Sequence, residues 1–157
     1  MKKNIFIVRH GHSDFTAQDD YNRELTKKGV LAVNKSSDFI SKTCKKYGLD
    51  IQICISSAAV RTQQTAEIII RKNNINNSNY YPELYATVTD KWLEKLAATK
   101  HENVVLVGHN PTLSQMLNNL CGCNIYMQPA NCAFISLEIK PDGIIYPAQL
   151  NEFYSYE

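Results

Sequence analysis

Residues 4–11 read NIFIVRHG, a short apolar run that ends in an arginine, a histidine and a glycine. The run is rich in β-branched residues and carries no polar alternation, which predicts a strand that is buried on both faces. Such strands are typical of parallel sheets flanked by helices. Arg9 and His10 follow the strand directly, so we expect them at its carboxyl end.

Strands and helices alternate along the rest of the chain. We predict strands at 51–55 and 104–107, helices at 26–47, 60–72 and 89–99, a fourth helix opening at Thr112, and a closing hairpin of 133–139 with 144 onward. Thr26 is expected to cap the first helix, and Thr112 to start a capping box with Gln115. Two connections are also predicted, a small polar turn at Ser56-Ser57 and an Asn-rich loop at 73–79.

This alternation predicts an α/β fold with three α/β/α layers, a mostly parallel central sheet and a single domain over residues 1–157. In such sheets ligands bind beyond the carboxyl ends of the strands. Three polar segments follow three predicted strands, at 9–10, 56–61 and His109. We therefore expect these segments to converge at one edge of the sheet.

Composition narrows the possible functions. The chain has 157 residues, of which 44% are hydrophobic, and 17 Lys+Arg against 15 Asp+Glu give a net charge of +2. That surplus is too small to predict binding to nucleic acid or to an anionic membrane through charge. The first apolar run is too short for a signal peptide or a membrane span, so we expect a cytoplasmic protein.

The five cysteines predict free thiols. They are odd in number, form no CxxC pair and come without a secretory signal, which disfavours both a disulfide framework and a zinc site. We expect them to be buried or half-buried in a reducing compartment. They are Cys44, Cys54, Cys121, Cys123 and Cys132.

Arg9, His10, Arg61 and His109 together suit phosphoryl chemistry. Each guanidinium offers a rigid fork of donors that matches phosphate oxygens and stays charged at any working pH. Two arginines and one histidine can surround a phosphoryl group, while the other histidine attacks phosphorus as neutral imidazole. The helix starts after Ser57 and Pro111 are expected to direct backbone N–H groups at the same anion.

These residues stand in sequence blocks that resemble the histidine phosphatase superfamily, which also contains the phosphoglycerate mutases. The blocks follow the family's order over residues 4 to about 123, and they are VRHG at 8–11, RELTKKG at 23–29, SSAAVRTQQTA at 56–66, PEL at 82–84 and VGHNP at 107–111. The resemblance implies a phosphoglycerate mutase-like fold. It also implies that His10 is the phosphorylated nucleophile, with Arg9, Arg61 and His109 forming the phosphate pocket.

Other residues are placed less directly by the resemblance. Glu83 matches the position where many relatives keep an acidic proton donor, and it could equally be a loop carboxylate. Arg23 is expected either to hold a loop or to touch substrate, and His12 or Ser13 could face the pocket. For the three tyrosines near Glu83, packing against the sheet is favoured over a ligand-stacking patch. They are Tyr80, Tyr81 and Tyr85.

The spacing of the blocks indicates a minimal family member. Only 47 residues separate Arg61 from His109, which leaves no room for a large helical cap. This design resembles the SixA-type phosphohistidine phosphatases, and it implies a histidine-phosphorylated protein, such as a phosphotransfer domain or phosphocarrier, as partner. Water, oriented by Glu83 or His109, would hydrolyse the phosphohistidine on His10. The arginines supply the charge, so no metal or cofactor is expected, and phosphate or another oxyanion should occupy the site.

Two alternatives remain open at this point. The same machinery could serve a small-molecule phosphomonoesterase, or the arginine clamp could belong to a non-catalytic module that binds phosphoproteins. The presence of His10 disfavours the binding module, and the short Arg61–His109 interval disfavours a mutase, which must enclose two phosphate positions.

Overall fold

The computed structural model describes residues 1–16 and 19–155. The strands are β1 (Lys2–Arg9), β2 (Ile53–Ser57), β3 (Asn77–Tyr81), β4 (Asn103–Gly108), β5 (Cys132–Lys140) and β6 (Gly143–Tyr154). The helices are α1 (Lys27–Tyr47), α2 (Val60–Asn73), α3 (Thr89–Ala98) and α4 (Thr112–Cys121), with short 3₁₀ helices at Asp20–Asn22 and Pro82–Leu84. The strands form one six-stranded sheet in the order β3-β2-β4-β1-β5-β6.

The centre of the sheet is parallel and one side is antiparallel. β4 pairs in parallel with both β1 and β2, and β2 pairs in parallel with β3. β5 and β6 add antiparallel strands beside β1. The carboxyl ends of β1, β2 and β4 therefore meet at one edge, as the fold prediction requires.

Helices cover both faces of the sheet because β1 is apolar on both sides. Ile5 and Ile7 belong to an apolar cluster with α3 and α4, while Phe6 and Val8 belong to a second cluster with α1 and α2. All four side chains are buried. Successive strand residues point to opposite faces, so an unbroken apolar run fills both clusters at once. The predicted three-layer α/β/α fold is confirmed.

The helix ends follow the sequence signals in one case and depart from them in another. Thr26 caps α1, since its hydroxyl accepts a hydrogen bond of 3.0 Å from the Gly29 amide. The capping box predicted at Thr112 is wrong: Pro111 occupies the N-cap position, with no side-chain cap. The Thr112 hydroxyl instead donates to the Thr87 carbonyl at 2.9 Å, so a tertiary contact replaces the local one.

Two predicted connections are strand in the structure. Ser56 and Ser57, expected as a turn, are the buried last residues of β2. The Asn-rich segment 73–79 was predicted to be a loop, but β3 begins within it at Asn77. β3 is an edge strand with an exposed beginning, held by backbone pairing to β2. Side-chain pattern carries little information about such a strand.

No large cap covers the carboxyl edge of the sheet between Arg61 and His109. That interval contains the rest of α2, β3, one 3₁₀ helix, α3 and β4. In the described part of the chain, no helix has the length and hydrophobicity needed to cross a membrane.

The cysteines are free, as predicted. Cys54 and Cys132 are buried, and the other three are half-buried. Burial raises the pKa of the Cys54 thiol to about 12, which makes it unreactive as a nucleophile at neutral pH.

We predict that Gly29→Ala destabilises the protein, although alanine is the better helix former by about 1 kcal/mol. A Cβ atom at Gly29 would lie 2.2 Å from the His12 carbonyl oxygen, where α1 approaches the loop after β1. Overpacking of this kind costs about 1–3 kcal/mol, so the free energy of unfolding measured in urea should fall. Lys28→Ala, on the exposed side of the same turn, is the matched control. A Gly29→Ala variant at least as stable as the wild type would contradict this close approach.

Candidate active site

Four charged or polar side chains meet at the carboxyl edge of the sheet. Arg9 ends β1 opposite Gly108 of β4, so His10 and His109 follow paired positions on neighbouring strands. Arg61 lies in the first turn of α2, directly after β2. The side chains of His10, Arg61 and His109 are nearly buried, although all three residue types are polar.

The hydrogen bonds of His10 define its tautomer. Its Nδ1 lies 2.7 Å from the Gly11 carbonyl oxygen, which can only accept, so Nδ1 carries the proton. Its Nε2 then holds the lone pair, and Arg61 Nε donates to it at 3.3 Å. Burial, followed by the charges of its neighbours, lowers the pKa of His10 to about 3. The ring is therefore a neutral imidazole with Nε2 as its nucleophilic atom.

His109 is held from β2 and also stays neutral. Its Nε2 lies 2.8 Å from the Ser57 hydroxyl, and its ring centre is 5.4 Å from that of His10. Burial, and then the charge of Arg61, lowers the pKa of His109 to about 4. Its Nδ1 is buried without a hydrogen-bond partner among the described residues. That atom therefore has hydrogen-bonding capacity that the described residues leave unused.

Arg9 is only partly satisfied by the protein. One terminal nitrogen donates to the Met127 carbonyl at 2.9 Å, and the Tyr126 ring centre is 5.9 Å from the guanidinium carbon. Burial lowers the pKa of Arg9, yet an arginine remains charged at neutral pH. Its Nε is the second buried nitrogen without a partner in the described residues. A half-buried cation with an unpaired donor favours binding of an anion.

Asp20, which the sequence did not single out, contacts the site directly. Its carboxylate Oδ2 accepts from an Arg61 terminal nitrogen at 2.9 Å, and its backbone carbonyl accepts from the other terminal nitrogen at 2.6 Å. Arg23 donates to the other carboxylate oxygen at 2.8 Å, and the Tyr85 hydroxyl donates to Oδ2. Hydrogen bonds from Tyr85, then Arg23 and Arg61, hold the pKa of Asp20 far below the usual range.

The structure places Arg23 as a tie within the loop after β1. Besides Asp20, it donates to the Asp14 carbonyl at 3.0 Å and to the Ser13 hydroxyl at 2.6 Å. The Ser13 side chain is therefore turned to the loop. His12 is exposed, and its Nδ1 lies 3.0 Å from the Thr26 hydroxyl.

Glu83 lies on the 3₁₀ helix Pro82–Leu84 and forms an ion pair of 2.8 Å with Lys95 of α3. The hydrogen bond from Lys95 lowers the pKa of its half-exposed carboxyl. Within residues 1–16 and 19–155, no hydrogen bond or ion pair joins Glu83 to His10, Arg61 or His109.

The packing prediction for the tyrosines is wrong for Tyr85. Tyr80 and Tyr81 pack at the edges of the two apolar clusters, as expected. Tyr85 instead faces the site: its ring meets that of His109 edge-on, with centres 5.5 Å apart, and its hydroxyl binds Asp20. Its place could not be read from the sequence, because it depends on Asp20, a residue 65 positions away.

Backbone N–H groups in the first turn of α4 already donate hydrogen bonds within the protein. Leu113 N donates to the His109 carbonyl at 3.0 Å, and Ser114 N donates to the Asn110 side chain at 3.2 Å. These two N–H groups do not point freely at an anion. The expectation that this helix start directs its amides at the phosphate is wrong for both of them.

The donor set fits an oxyanion better than a metal ion. Arginines cannot bind a cation, and among the described residues no group of three or more His, Cys, Asp or Glu side chains could hold one. Two guanidinium groups instead offer donors and positive charge, and His109 Nδ1 adds a donor in the tautomer whose Nε2 accepts from the Ser57 hydroxyl.

Two curated proteins are similar to part of the chain. Phosphoglycerate mutase 3 of Saccharomyces cerevisiae is 30% identical over 81 residues, which cover 48% of this chain and 27% of the yeast protein. An uncharacterized Picosynechococcus protein is 26% identical over 121 residues, covering 71% of this chain and 68% of that protein. The chain thus matches only about a quarter of the yeast mutase.

Solved structures share the whole fold. SixA from Agrobacterium tumefaciens has a TM-score of 0.80 at 22% identity and 99% coverage of both chains. The protein histidine phosphatase SixA complexed with tungstate has a TM-score of 0.78 at 21% identity, with 97% of this chain and 96% of that chain covered. A mycobacterial glucosyl-3-phosphoglycerate phosphatase gives 0.68 at 13% identity, with 96% and 98% covered.

The family model described as histidine phosphatase superfamily (branch 1) matches residues 5–85. This match spans more than half of the 157 residues and includes Arg9, His10 and Arg61. The chain belongs to the histidine phosphatase superfamily, branch 1.

Proposed function

We propose that this protein is a phosphohistidine phosphatase of the SixA type, acting on histidine-phosphorylated proteins. Membership of the superfamily supports a phosphatase-type enzyme. The observation that carries the proposal is the neutral His10, whose Nε2 accepts from Arg61 in a site where Arg9 Nε and His109 Nδ1 have no hydrogen-bond partner among the described residues. Those two nitrogens and Arg61 would bind the oxygens of a phosphoryl group.

In the first step, the lone pair of His10 Nε2 attacks phosphorus, and the bond between phosphorus and the substrate imidazole nitrogen breaks. The departing imidazole nitrogen keeps the electron pair and takes up a proton from solvent. The positive charge that develops on the His10 ring is stabilised by the Gly11 carbonyl, which accepts from Nδ1–H at 2.7 Å. The Arg61 Nε–H leaves His10 and turns to a phosphoryl oxygen, where charge is greatest in the transition state.

In the second step, water attacks phosphorus, the bond to His10 Nε2 breaks, and inorganic phosphate leaves while the proton of the water passes to solvent. The water attacks on the side opposite His10 Nε2, while His109 Nδ1 remains bound to a phosphoryl oxygen. Glu83 does not enter either step, since its carboxylate is paired with Lys95.

Among the described residues, neither Asp20 nor Glu83 is placed to give a proton to a leaving group, which supports phosphohistidine over a phosphate monoester as substrate. An alkoxide leaving group needs an acid in the site. Asp20, the carboxyl that contacts Arg61, has a pKa far too low to be protonated at neutral pH. Imidazole leaves more easily than an alkoxide, so phosphohistidine places less demand on such an acid.

The surroundings of the site support a protein as the carrier of the phosphoryl group. Phe15 is 78% exposed and stacks 3.9 Å over the Arg23 guanidinium, and Tyr126 is 63% exposed beside Arg9. Exposed aromatic rings next to arginines are common features of protein-binding surfaces. No large cap would keep a folded partner from reaching them.

We expect His10→Ala to reduce phosphate release from a histidine-phosphorylated phosphotransfer protein by about three orders of magnitude or more, because the variant lacks the proposed nucleophile. His12→Ala is the matched control; its side chain bonds to Thr26, and activity should stay within about twofold. EDTA should leave the wild-type rate unchanged.

The same preparations should be tested on sugar phosphates and other monoesters. The proposal predicts a kcat/KM for the phosphoprotein at least about a hundredfold higher, because binding energy away from the phosphoryl group is available only there. Release from monoesters alone would assign the protein as a small-molecule phosphomonoesterase. Tight phosphoprotein binding without turnover, unchanged in His10→Ala, would favour a binding module.

We also predict that the neutral histidines make stability depend on pH. The pKa of His10 falls from 6.5 in the unfolded chain to about 3 in the folded protein, so below pH 6.5 only the unfolded chain gains the proton. This contribution to stability is present above pH 6.5 and is lost as the pH falls, by about 1.4 kcal/mol per pH unit for each such group. His10→Gln should therefore show a shallower decline in urea unfolding free energy between pH 6 and pH 5. Equal slopes for the two proteins would contradict a neutral His10.

A further inference from the structure

We propose that Asp20 competes with phosphoryl oxygens for Arg61 and thereby sets the anion affinity of the site. This inference rests on the phosphate pocket of the proposed function and adds a residue to it. Asp20 contacts Arg61 through two separate atoms, the carboxylate Oδ2 and the backbone carbonyl, at 2.9 and 2.6 Å. Both terminal nitrogens of the guanidinium are thus engaged by Asp20.

The third nitrogen of Arg61 is also engaged, because Nε donates to His10 Nε2 at 3.3 Å. Of the five N–H bonds of a guanidinium, three therefore point to groups of the chain itself. The Arg61 side chain is only 7% exposed, so little of it is left for a ligand to approach. An entering phosphoryl group must take over part of this hydrogen-bonding set.

Repulsion between negative charges adds to the competition for the N–H donors of Arg61. A phosphoryl group bound to Arg61 would bring its negative oxygens next to the Asp20 carboxylate, which stays ionised because its pKa is held far below the usual range. Two anions sharing one cation repel each other. Asp20 must therefore withdraw or weaken the binding of the phosphoryl group.

The position of Asp20 allows such withdrawal. It is the first residue of a 3₁₀ helix of three residues, and its side chain is 50% exposed. It has alternative partners within the same loop, since Arg23 holds the other carboxylate oxygen at 2.8 Å. The Asp20 carboxylate can move away from Arg61 while it keeps its ion pair with Arg23. Its displacement therefore does not leave the carboxylate buried and unpaired.

The competition gives Asp20 two consequences for the reaction. In the resting protein it neutralises a buried guanidinium, which would otherwise be expensive to keep beside Arg9. After hydrolysis it can return to Arg61 and favour release of inorganic phosphate. A doubly charged phosphoryl group, which Arg9 also attracts, displaces Asp20 more readily than a singly charged anion of similar size.

The test is direct binding of tungstate, measured by calorimetry at pH 8 on the whole chain. Asp20→Asn keeps the shape of the side chain and removes its charge, and Asp20→Ala removes the competing oxygen as well. Tungstate affinity should rise by about fivefold in Asp20→Asn, as expected for a half-exposed ion pair, and at least as much in Asp20→Ala.

Asp19→Asn is the matched control for loosening of the loop. Asp19 caps the same 3₁₀ helix through the Asn22 amide at 3.0 Å and forms no ion pair with Arg61. Its tungstate affinity should equal that of the wild type. Thermal unfolding with and without tungstate checks that each variant is folded, and tungstate should raise the melting temperature most in the Asp20 variants.

The opposite order would overturn the proposal. If Asp20 positions Arg61 for the ligand, affinity falls from wild type to Asp20→Asn and falls further in Asp20→Ala; equal affinities would contradict competition as well. Phosphate release from the phosphoprotein, measured separately on wild type, reports on the proposed function. If the protein binds tungstate but does not hydrolyse the phosphoprotein, the proposed function is wrong. The competition between Asp20 and the anion can still be tested by the tungstate affinities.

Discussion

The Arg61 guanidinium is the interaction on which the candidate site depends. It is a buried cation that contacts Nε2 of His10, the proposed nucleophile, on one side and Asp20 on the other. Burial, reinforced by the charge of Arg61, lowers the pKa of His10 and His109 and keeps both neutral, and the guanidinium attracts any phosphoryl group that enters. The parallel pairing of β4 with β1 and β2 makes the arrangement possible, because it brings three strand ends to one edge.

The apolar strands explain why the fold could be predicted from the sequence. An unbroken apolar run such as that of β1 is stable only between two layers, and charged residues at its end mark the edge where the layers open. The placement of Arg9, His10, Arg61 and His109 follows from that reasoning. Local signals were weaker where tertiary contacts competed with them, as at Thr112, whose hydroxyl bonds to Thr87 instead of capping α4.

The positions of Asp20 and Tyr85 at the site could not be predicted from the sequence, because both depend on contacts between distant segments. Asp20 stands in a polar segment without periodicity, and its effect arises only when the loop after β1 folds back onto α2. A tyrosine such as Tyr85 is usually predicted to pack against the sheet. Its contact with the site depends on the hydrogen bond from its hydroxyl to Asp20. Glu83 shows the reverse: the motif suggested an acid, but a nearby lysine on α3 pairs with it.

The leaving group connects this geometry to the proposed substrate. A site with two arginines, two neutral histidines and a carboxylate of very low pKa can stabilise a phosphoryl group, yet it has little capacity to protonate an alkoxide. Phosphohistidine suits that chemistry, and the absence of a large cap suits a protein carrier. The absence of a large cap and the ionised state of Asp20 thus point to the same class of substrate.

The central claim is that His10 carries the phosphoryl group, and rapid-quench labelling tests it most directly. Wild type and His10→Ala are mixed with an excess of a ³²P-labelled histidine-phosphorylated phosphotransfer protein and quenched within milliseconds. The account predicts acid-labile, alkali-stable label on the wild-type enzyme, located by peptide mapping at His10, and none on the variant. Wild-type turnover without labelled enzyme, or equal label on both proteins, would contradict it.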